Sequence, residues 1–186
     1  MNSIIKKLVA DQKEWDVVSK ELEGENLKLA SYDNTLMNVI GNVNGKKILD
    51  YGAGPGVLAL GLQKMGANVK VWDTGIEMQE KSALKIGKEN VYANINTVPK
   101  GYFDIIICNL VLCIVPEDEA KSIVENMKQM LAPGGFIYIG FCNPKIFQIP
   151  ESNLDYRLPT PNKYEDNHDY KKVKKEGNYE IIESHR

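Results

Sequence analysis

The chain has 186 residues, 43% of them hydrophobic, which is enough for one sizeable core and suits a single domain spanning 1–186. Its 23 basic and 25 acidic residues leave a formal net charge of −2, so no broad field draws it to nucleic acid or a membrane surface, and a small molecule is the expected partner. Three cysteines, Cys108, Cys113 and Cys142, show no C-x-x-C spacing and argue for a reducing cytoplasm rather than a disulfide framework, and no apolar run reaches membrane-spanning length.

Along the chain, Ile4, Leu8, Asp11, Trp15, Val18 and Leu22 recur at steps of three and four with charges between them, which predicts an amphipathic helix ending near Gly24. A short helix over about Asp33 to Ile40 completes an N-terminal helical segment, 1–45. The turn "GNVNGKK" then leads into "KILDYG", a buried strand. Helix Val57 to Met65, strand "NVKVWD", helix "GIEMQEKSALKIG", a weaker strand "NVYANI" and a strongly apolar strand in "YFDIIICNLVL" follow. Helix "EDEAKSIVENMKQML" is stopped by Pro133-Gly134-Gly135 before strand "FIYIGFCN". Strands nearly continuous in apolar residues, alternating with helices, require a parallel sheet covered on both faces, which is a doubly wound α/β domain. That alternation occupies 46–143. Beyond it, 144–186 is rich in proline, charge and tyrosine and reads as a long excursion before a last strand, "NYEIIES".

The stretch "KKILDYGAGPGVLALGL", Lys46 to Leu62, sits where such a fold binds ligands, because the first strand-to-helix turn lies at the point where strand order reverses. Gly52, Gly54 and Gly56 let backbone approach a ligand without a Cβ in the way. Dinucleotide enzymes require G-x-G-x-x-G, with pyrophosphate on the helix N-terminus. Here the third glycine comes one place early, and Val57 occupies the expected position. Asp50, two residues before the first glycine, would face a pyrophosphate unfavourably but suits a cationic ligand group. Both features disfavour a nucleotide-dependent oxidoreductase.

With its acidic residue followed by G-x-G-x-G, "DYGAGPG" resembles the signature of class I S-adenosylmethionine-dependent methyltransferases. In the same order, "VWDTGIEM" resembles that family's acidic end of strand two, "YFDIIICNLVL" its fourth strand, and "MKQMLAPGGFIYIGF" its helix, turn and fifth strand. The resemblance covers about Lys46 to Asn143 and implies a mostly parallel, Rossmann-like sheet, S-adenosyl-L-methionine as cofactor and methyl transfer to a small molecule. It implies that Gly52, Gly54 and Gly56 let the methionine part and ribose pass close to the backbone, and that Asp50 faces the cofactor's amino group. Asp73 would accept both ribose hydroxyls, a role suited to a carboxylate. Met78 would pack near ribose and adenine, although core packing accounts for it equally. Asn94 stands where the family often has an aspartate reaching the adenine, with Ile95 beside it, and Asn109 at the end of strand four borders cofactor and substrate or simply caps the strand.

Methyl transfer from a sulfonium is an in-line displacement with a neutral leaving group, so holding the acceptor in line and excluding water supplies much of the catalysis. No general base stands out. Family members often have histidine just after strand four, whereas this chain reads "NLVLCIVPE", with Cys113 and Ile114 in that place. Its two histidines, His168 and His185, lie in the tail, where a solvated loop side chain is the plainer reading than a base folding over the cofactor. Tyr32 and Trp15 precede the glycine turn on segments that commonly close over the cofactor in the family. The lysines of "YKKVKKEG" are balanced by Asp166, Asp169 and Glu176 and read as a solvated segment, and no His or Cys pair has metal-ligand spacing. The family's sheet normally has seven strands, yet only "NYEIIESHR" follows the excursion, so either the chain is a fragment lacking the last family strands or the final strand alone covers the edge beside "FIYIGF". An uncovered apolar edge would invite self-association. The absent base and short C-terminus leave a second reading, a cofactor-binding or interaction module without turnover.

Overall fold

A computed structural model describes residues 6–10, 36–141, 154–157, 170–176 and 179–185. Its strands are β1 (Lys6–Ala10), β2 (Lys47–Tyr51), β3 (Asn68–Trp72), β4 (Val91–Tyr92), β5 (Phe103–Asn109), β6 (Leu131–Gly140), β7 (Leu154–Arg157), β8 (Tyr170–Glu176) and β9 (Tyr179–His185). Helices α1 (Val57–Lys64), α2 (Ile76–Ile86) and α3 (Glu117–Met130) alternate with β2 to β6, and a further helical stretch ends at residue 40.

Strands β2 to β6 form one sheet in the order β4-β3-β2-β5-β6, with every pairing parallel. The order reverses between β2 and β5, which is the doubly wound topology expected from the alternation of strands and helices. Side chains of the two central strands feed two cores in turn. Ile48, Ile105 and Ile107 join Leu58, Ala59 and Leu62 of α1 and Ile86 of α2 on one face. Leu49, Phe103, Ile106 and Cys108 join Ile123, Met127 and Met130 of α3 on the other. This is why β5 is apolar at nearly every position rather than at every second one.

The helices follow from local sequence. In α3 the buried residues Ile123, Met127 and Met130 fall at steps of four and three, with Glu117, Asp118 and Glu119 in the first turn and Lys128 in the last, complementing the helix dipole. In α2 the buried stripe is Met78, Ser82 and Ile86. Helix α1 starts directly from Gly56, whose φ of 75° no side chain tolerates well, and ends at Lys64 with Met65 as its C-cap, after which Gly66 turns the chain at positive φ and Ala67 N–H reaches back to the Leu62 carbonyl at 3.1 Å.

Four local expectations are corrected. Residues 6–10 form a strand, not part of an amphipathic helix, because "KKLVA" pairs in parallel with β9 from Lys6–Tyr179 to Ala10–Glu183, and strand pairing overrides the local period. The rest of that expected helix, with Trp15, Tyr32 and the start of the 33–40 helix, lies outside the described residues. The strand expected in "NVYANI" shrinks to Val91–Tyr92, since Asn94 caps a 3-10 turn by accepting the Asn96 N–H at 2.9 Å. Pro133-Gly134-Gly135 does not precede β6 but lies inside it, at a register shift opposite the Phe103 to Ile105 stretch of β5. The excursion after residue 143 contains β7 and β8, which pair antiparallel, and β8 pairs with β9 to give a second sheet in the order β1-β9-β8-β7. The last strand therefore does not cover β6, which among the described residues is an edge, with Phe136 65% and Phe141 58% exposed on and just beyond it.

Candidate functional site

At the carboxyl ends of β2 and β3 the chain wraps a turn around one carboxylate. Asp73, just after β3, accepts the Gly54 N–H on Oδ2 at 2.8 Å and the Gly75 N–H on Oδ1 at 2.9 Å. Its own carbonyl accepts Gln79 Nε2 at 2.7 Å, so α2 holds Asp73 in place from behind. The turn's other anchor is Ser82, fully buried on α2, whose hydroxyl donates to the Gly54 carbonyl at 2.8 Å. Gly52 N–H and Ala53 N–H both donate to the Trp72 carbonyl, at 2.8 and 3.2 Å, so β2 and β3 stay joined as the turn departs.

The three glycines are needed for different reasons. All have positive φ, 74°, 53° and 75° at Gly52, Gly54 and Gly56. A Cβ on Gly52 would collide with the Val111 side chain, and one on Gly56 would meet Ser82 Oγ at 2.9 Å and its Cα at 3.1 Å. A Cβ on Gly54 would meet nothing within 4 Å. Packing therefore accounts for Gly52 and Gly56, whereas Gly54 borders open space beside the Asp73 carboxylate.

Of the remaining predicted residues, Asp50 is 2% exposed near the end of β2, in register with Val71 and Ile107, which are both apolar and buried. Met78 is 6% exposed yet belongs to neither apolar cluster, which separates it from the ordinary core residues of its helix. Asn94 is exposed and its Oδ1 caps its own turn. Its neighbour Ala93 offers its carbonyl to Gln79 Nε2 at 3.5 Å, so Gln79 ties this loop to the residue that holds the glycine turn. Asn109 ends β5 at the same edge of the sheet, and its Oδ1 fills the position a Cβ on Gly140 would need. The structure thus ties Asp73 to the glycine turn by a hydrogen bond, with Asp50 two residues before that turn on β2, Met78 on α2, Asn94 in the 3-10 turn after β4 and Asn109 at the end of β5. His168 lies outside the described residues, and nothing is described of the His185 side chain. Ser82, Gln79 and Val111 escaped the sequence reading. Ser82 had a signal, a small polar residue in a buried stripe one turn from Met78, whereas Val111 could be found only from the fold.

Neither buried cysteine looks nucleophilic. Burial, and then the charge of Asp50, pushes the Cys108 thiol up from 9.0 to about 12. Burial, then Cys108 and Glu119, pushes the Tyr51 hydroxyl up from 10.0 to about 12. Cys113 is 1% exposed and its thiol donates to the Leu110 carbonyl at 3.3 Å. Among the described residues no three His, Cys, Asp or Glu side chains gather as metal ligands, and no helix is long and apolar enough to cross a membrane.

A family model described as a methyltransferase domain matches residues 25–184. The chain belongs to this methyltransferase-domain family. Among its curated relatives is a ubiquinone biosynthesis O-methyltransferase of Photorhabdus laumondii, 32% identical over 142 residues that cover 69% of this chain and 56% of the relative. The protein of the same name from Shewanella halifaxensis is 30% identical over 129 residues, covering 65% and 54%. The chain thus spans about half the length of these relatives. Among solved structures, a complex of DhpI with SAH superposes with a TM-score of 0.58 at 18% identity, covering 80% of this chain and 72% of that one, which shows a shared fold.

Within this methyltransferase domain, Gly56→Ala should destabilise more than Gly54→Ala. Both place a side chain at positive φ, which costs about 1–2 kcal/mol, but only the first also meets Ser82 backbone. Urea denaturation of the two variants checks the order, and equal losses would contradict it. Stability should also fall as pH rises from about 9 towards 12, because the unfolded chain releases the Cys108 and Tyr51 protons in that window while the folded chain retains them. Cys108→Ala and Tyr51→Phe should each flatten this alkaline loss in melting curves taken across the window.

Proposed function

We propose that this chain binds S-adenosyl-L-methionine at the glycine turn between β2 and α1 and transfers its methyl group to an oxygen of a small molecule. The observation that carries the reading is the open space over Gly54, with backbone at positive φ and the Asp73 carboxylate bound to the same N–H. The residues fit the group. Asp73 would take the ribose hydroxyls, Gly52, Gly54 and Gly56 would line the path of the methionine part, and the buried carboxylate of Asp50 favours its cationic amino end over a pyrophosphate. Met78, buried outside both cores, would lie against the adenosine, with Asn94 from the 3-10 turn after β4 and Asn109 from the end of β5 bordering the site. When bound, the cofactor supplies a methyl group on a sulfonium whose departure leaves a neutral thioether.

What the protein contributes is position and shelter. Burial weakens the acidity of Cys108 and Tyr51, so both side chains stay neutral well above physiological pH and neither competes with the acceptor as a nucleophile. Oxygen as the acceptor atom rests on the O-methyltransferase relatives. In this reading 1–186 is one methyltransferase domain with 46–143 as its cofactor-binding core, and it works in a reducing compartment, the cytoplasm. The edge of β6 would support self-association, since no charged residue falls between Leu131 and Phe141 to discourage pairing with another strand.

S-adenosylhomocysteine at about 100 times its Kd should raise the melting temperature by roughly 5–10 °C, and NAD should leave it unchanged. Stabilisation by NAD alone would overturn the cofactor assignment. Incubation with methyl-labelled cofactor and a panel of small phenols should transfer label to at least one hydroxyl. Stabilisation without transfer to any acceptor would favour the module without turnover.

A further inference from the structure

At the end of β5, Leu110 has a φ of 60°, the one non-glycine residue with positive φ among those described. A leucine gains nothing locally from this conformation, because it has no polar side chain to bond its own backbone. The surrounding structure imposes the bend. The Leu110 N–H donates to the Gly140 carbonyl at 2.9 Å, its carbonyl accepts the Cys113 thiol at 3.3 Å, and Ile114 N–H closes the following turn on the Val111 carbonyl at 3.0 Å. The bend reverses the chain so that Val111 comes down on Gly52, with its methyl group where a Cβ of Gly52 would stand. Two positions with positive φ on different strands, Gly52 after β2 and Leu110 after β5, thus meet through one valine at the point where the strand order reverses.

We infer that Leu110 and Val111 are positioning residues. The bend at Leu110, imposed by the hydrogen bonds around it, seats Val111 on Gly52 and so holds the glycine turn in its ligand-receiving shape. Strain of this kind persists only where the surroundings over-determine it, and it clusters at binding and catalytic sites. This rests on the proposed cofactor site, since it assigns the bend a task in that site. It also assigns Cys113 a role that needs no reactivity, as the donor that secures the Leu110 carbonyl.

Comparison of Leu110→Gly with Leu110→Ala in the full chain tests the inference, because both lose the leucine side chain but only glycine is released from the strain. Leu110→Gly should melt a few degrees above Leu110→Ala, the reverse of their usual order. Leu110→Gly should also bind S-adenosylhomocysteine within about twofold of wild type, because glycine adopts the bend freely, whereas Leu110→Val, whose branched side chain opposes a positive φ, should bind roughly 3–10-fold more weakly. Val111→Ala, which keeps the bend but withdraws the side chain from Gly52, should weaken binding to a similar degree as Leu110→Val, and Val111→Ile should restore most of it. A purely structural role would lower the stability of these variants and leave their affinity unmoved. Equal melting temperatures in the glycine and alanine variants, or undiminished affinity in Leu110→Val and Val111→Ala, would overturn the inference. If wild type itself failed to bind S-adenosylhomocysteine, the cofactor reading would fail and this assignment with it, whereas binding by wild type with no difference between variants would sink only this one.

Discussion

The site depends on one carboxylate holding two N–H groups. Asp73 stands just past β3 and accepts from Gly54 on one oxygen and from Gly75 on the other, so a single side chain fixes both the glycine turn after β2 and the entry to α2. Charge-assisted bonds of this kind are stronger than neutral ones. They also place negative charge at the first turn of α2, where the helix dipole favours it. Gln79 and Ser82, one turn apart on the same helix, complete the arrangement by gripping the Asp73 carbonyl and the Gly54 carbonyl.

The sheet delivers this arrangement to the right place. Because β2 and β5 lie side by side and their helices depart to opposite faces, their carboxyl ends leave a crevice that neither helix layer fills. Apolar residues at successive positions of Ile105, Ile106, Ile107 and Cys108 serve both cores at once. The polar residues at the site are those that end strands, Asp50, Asp73 and Asn109, so the change from core to chemistry occurs within one or two residues of each strand's end.

Much of this was legible in the sequence because it is local. The apolar strands, the early third glycine at Gly56 and the acidic residue after β3 are short-range patterns with a direct physical meaning, and the central sheet and its ligand-binding turn follow from them. What was hidden depends on long-range pairing. The heptad-like spacing of Ile4, Leu8 and Asp11 favoured a helix, but residues 6–10 pair with β9 more than 165 positions away, and no local period carries that information. The strand β8 was masked by Lys171, Lys172, Lys174 and Lys175 and the short β7 by the prolines on either side of it, yet both find partners in the second sheet without an apolar signature. Asn94 was read through its place in a motif, and its self-capping turn is a competing use of the same side chain that only geometry reveals. Val111 and Leu110 are unremarkable in sequence and become informative only through a backbone angle and a contact across strands.

The central claim is that the carboxylate organising the turn is also the one that receives the ligand. Its most direct test is titration of S-adenosylhomocysteine into wild type and Asp73→Asn, followed by amide NMR resonances and calorimetry. In wild type the Gly54 and Gly75 amide signals should move on addition of ligand. In Asp73→Asn both should already be displaced without ligand, and affinity should fall about 10–100-fold, the size expected for losing charged hydrogen bonds. Undiminished affinity in Asp73→Asn, or ligand binding that leaves the Gly54 and Gly75 signals untouched in wild type, would contradict the account.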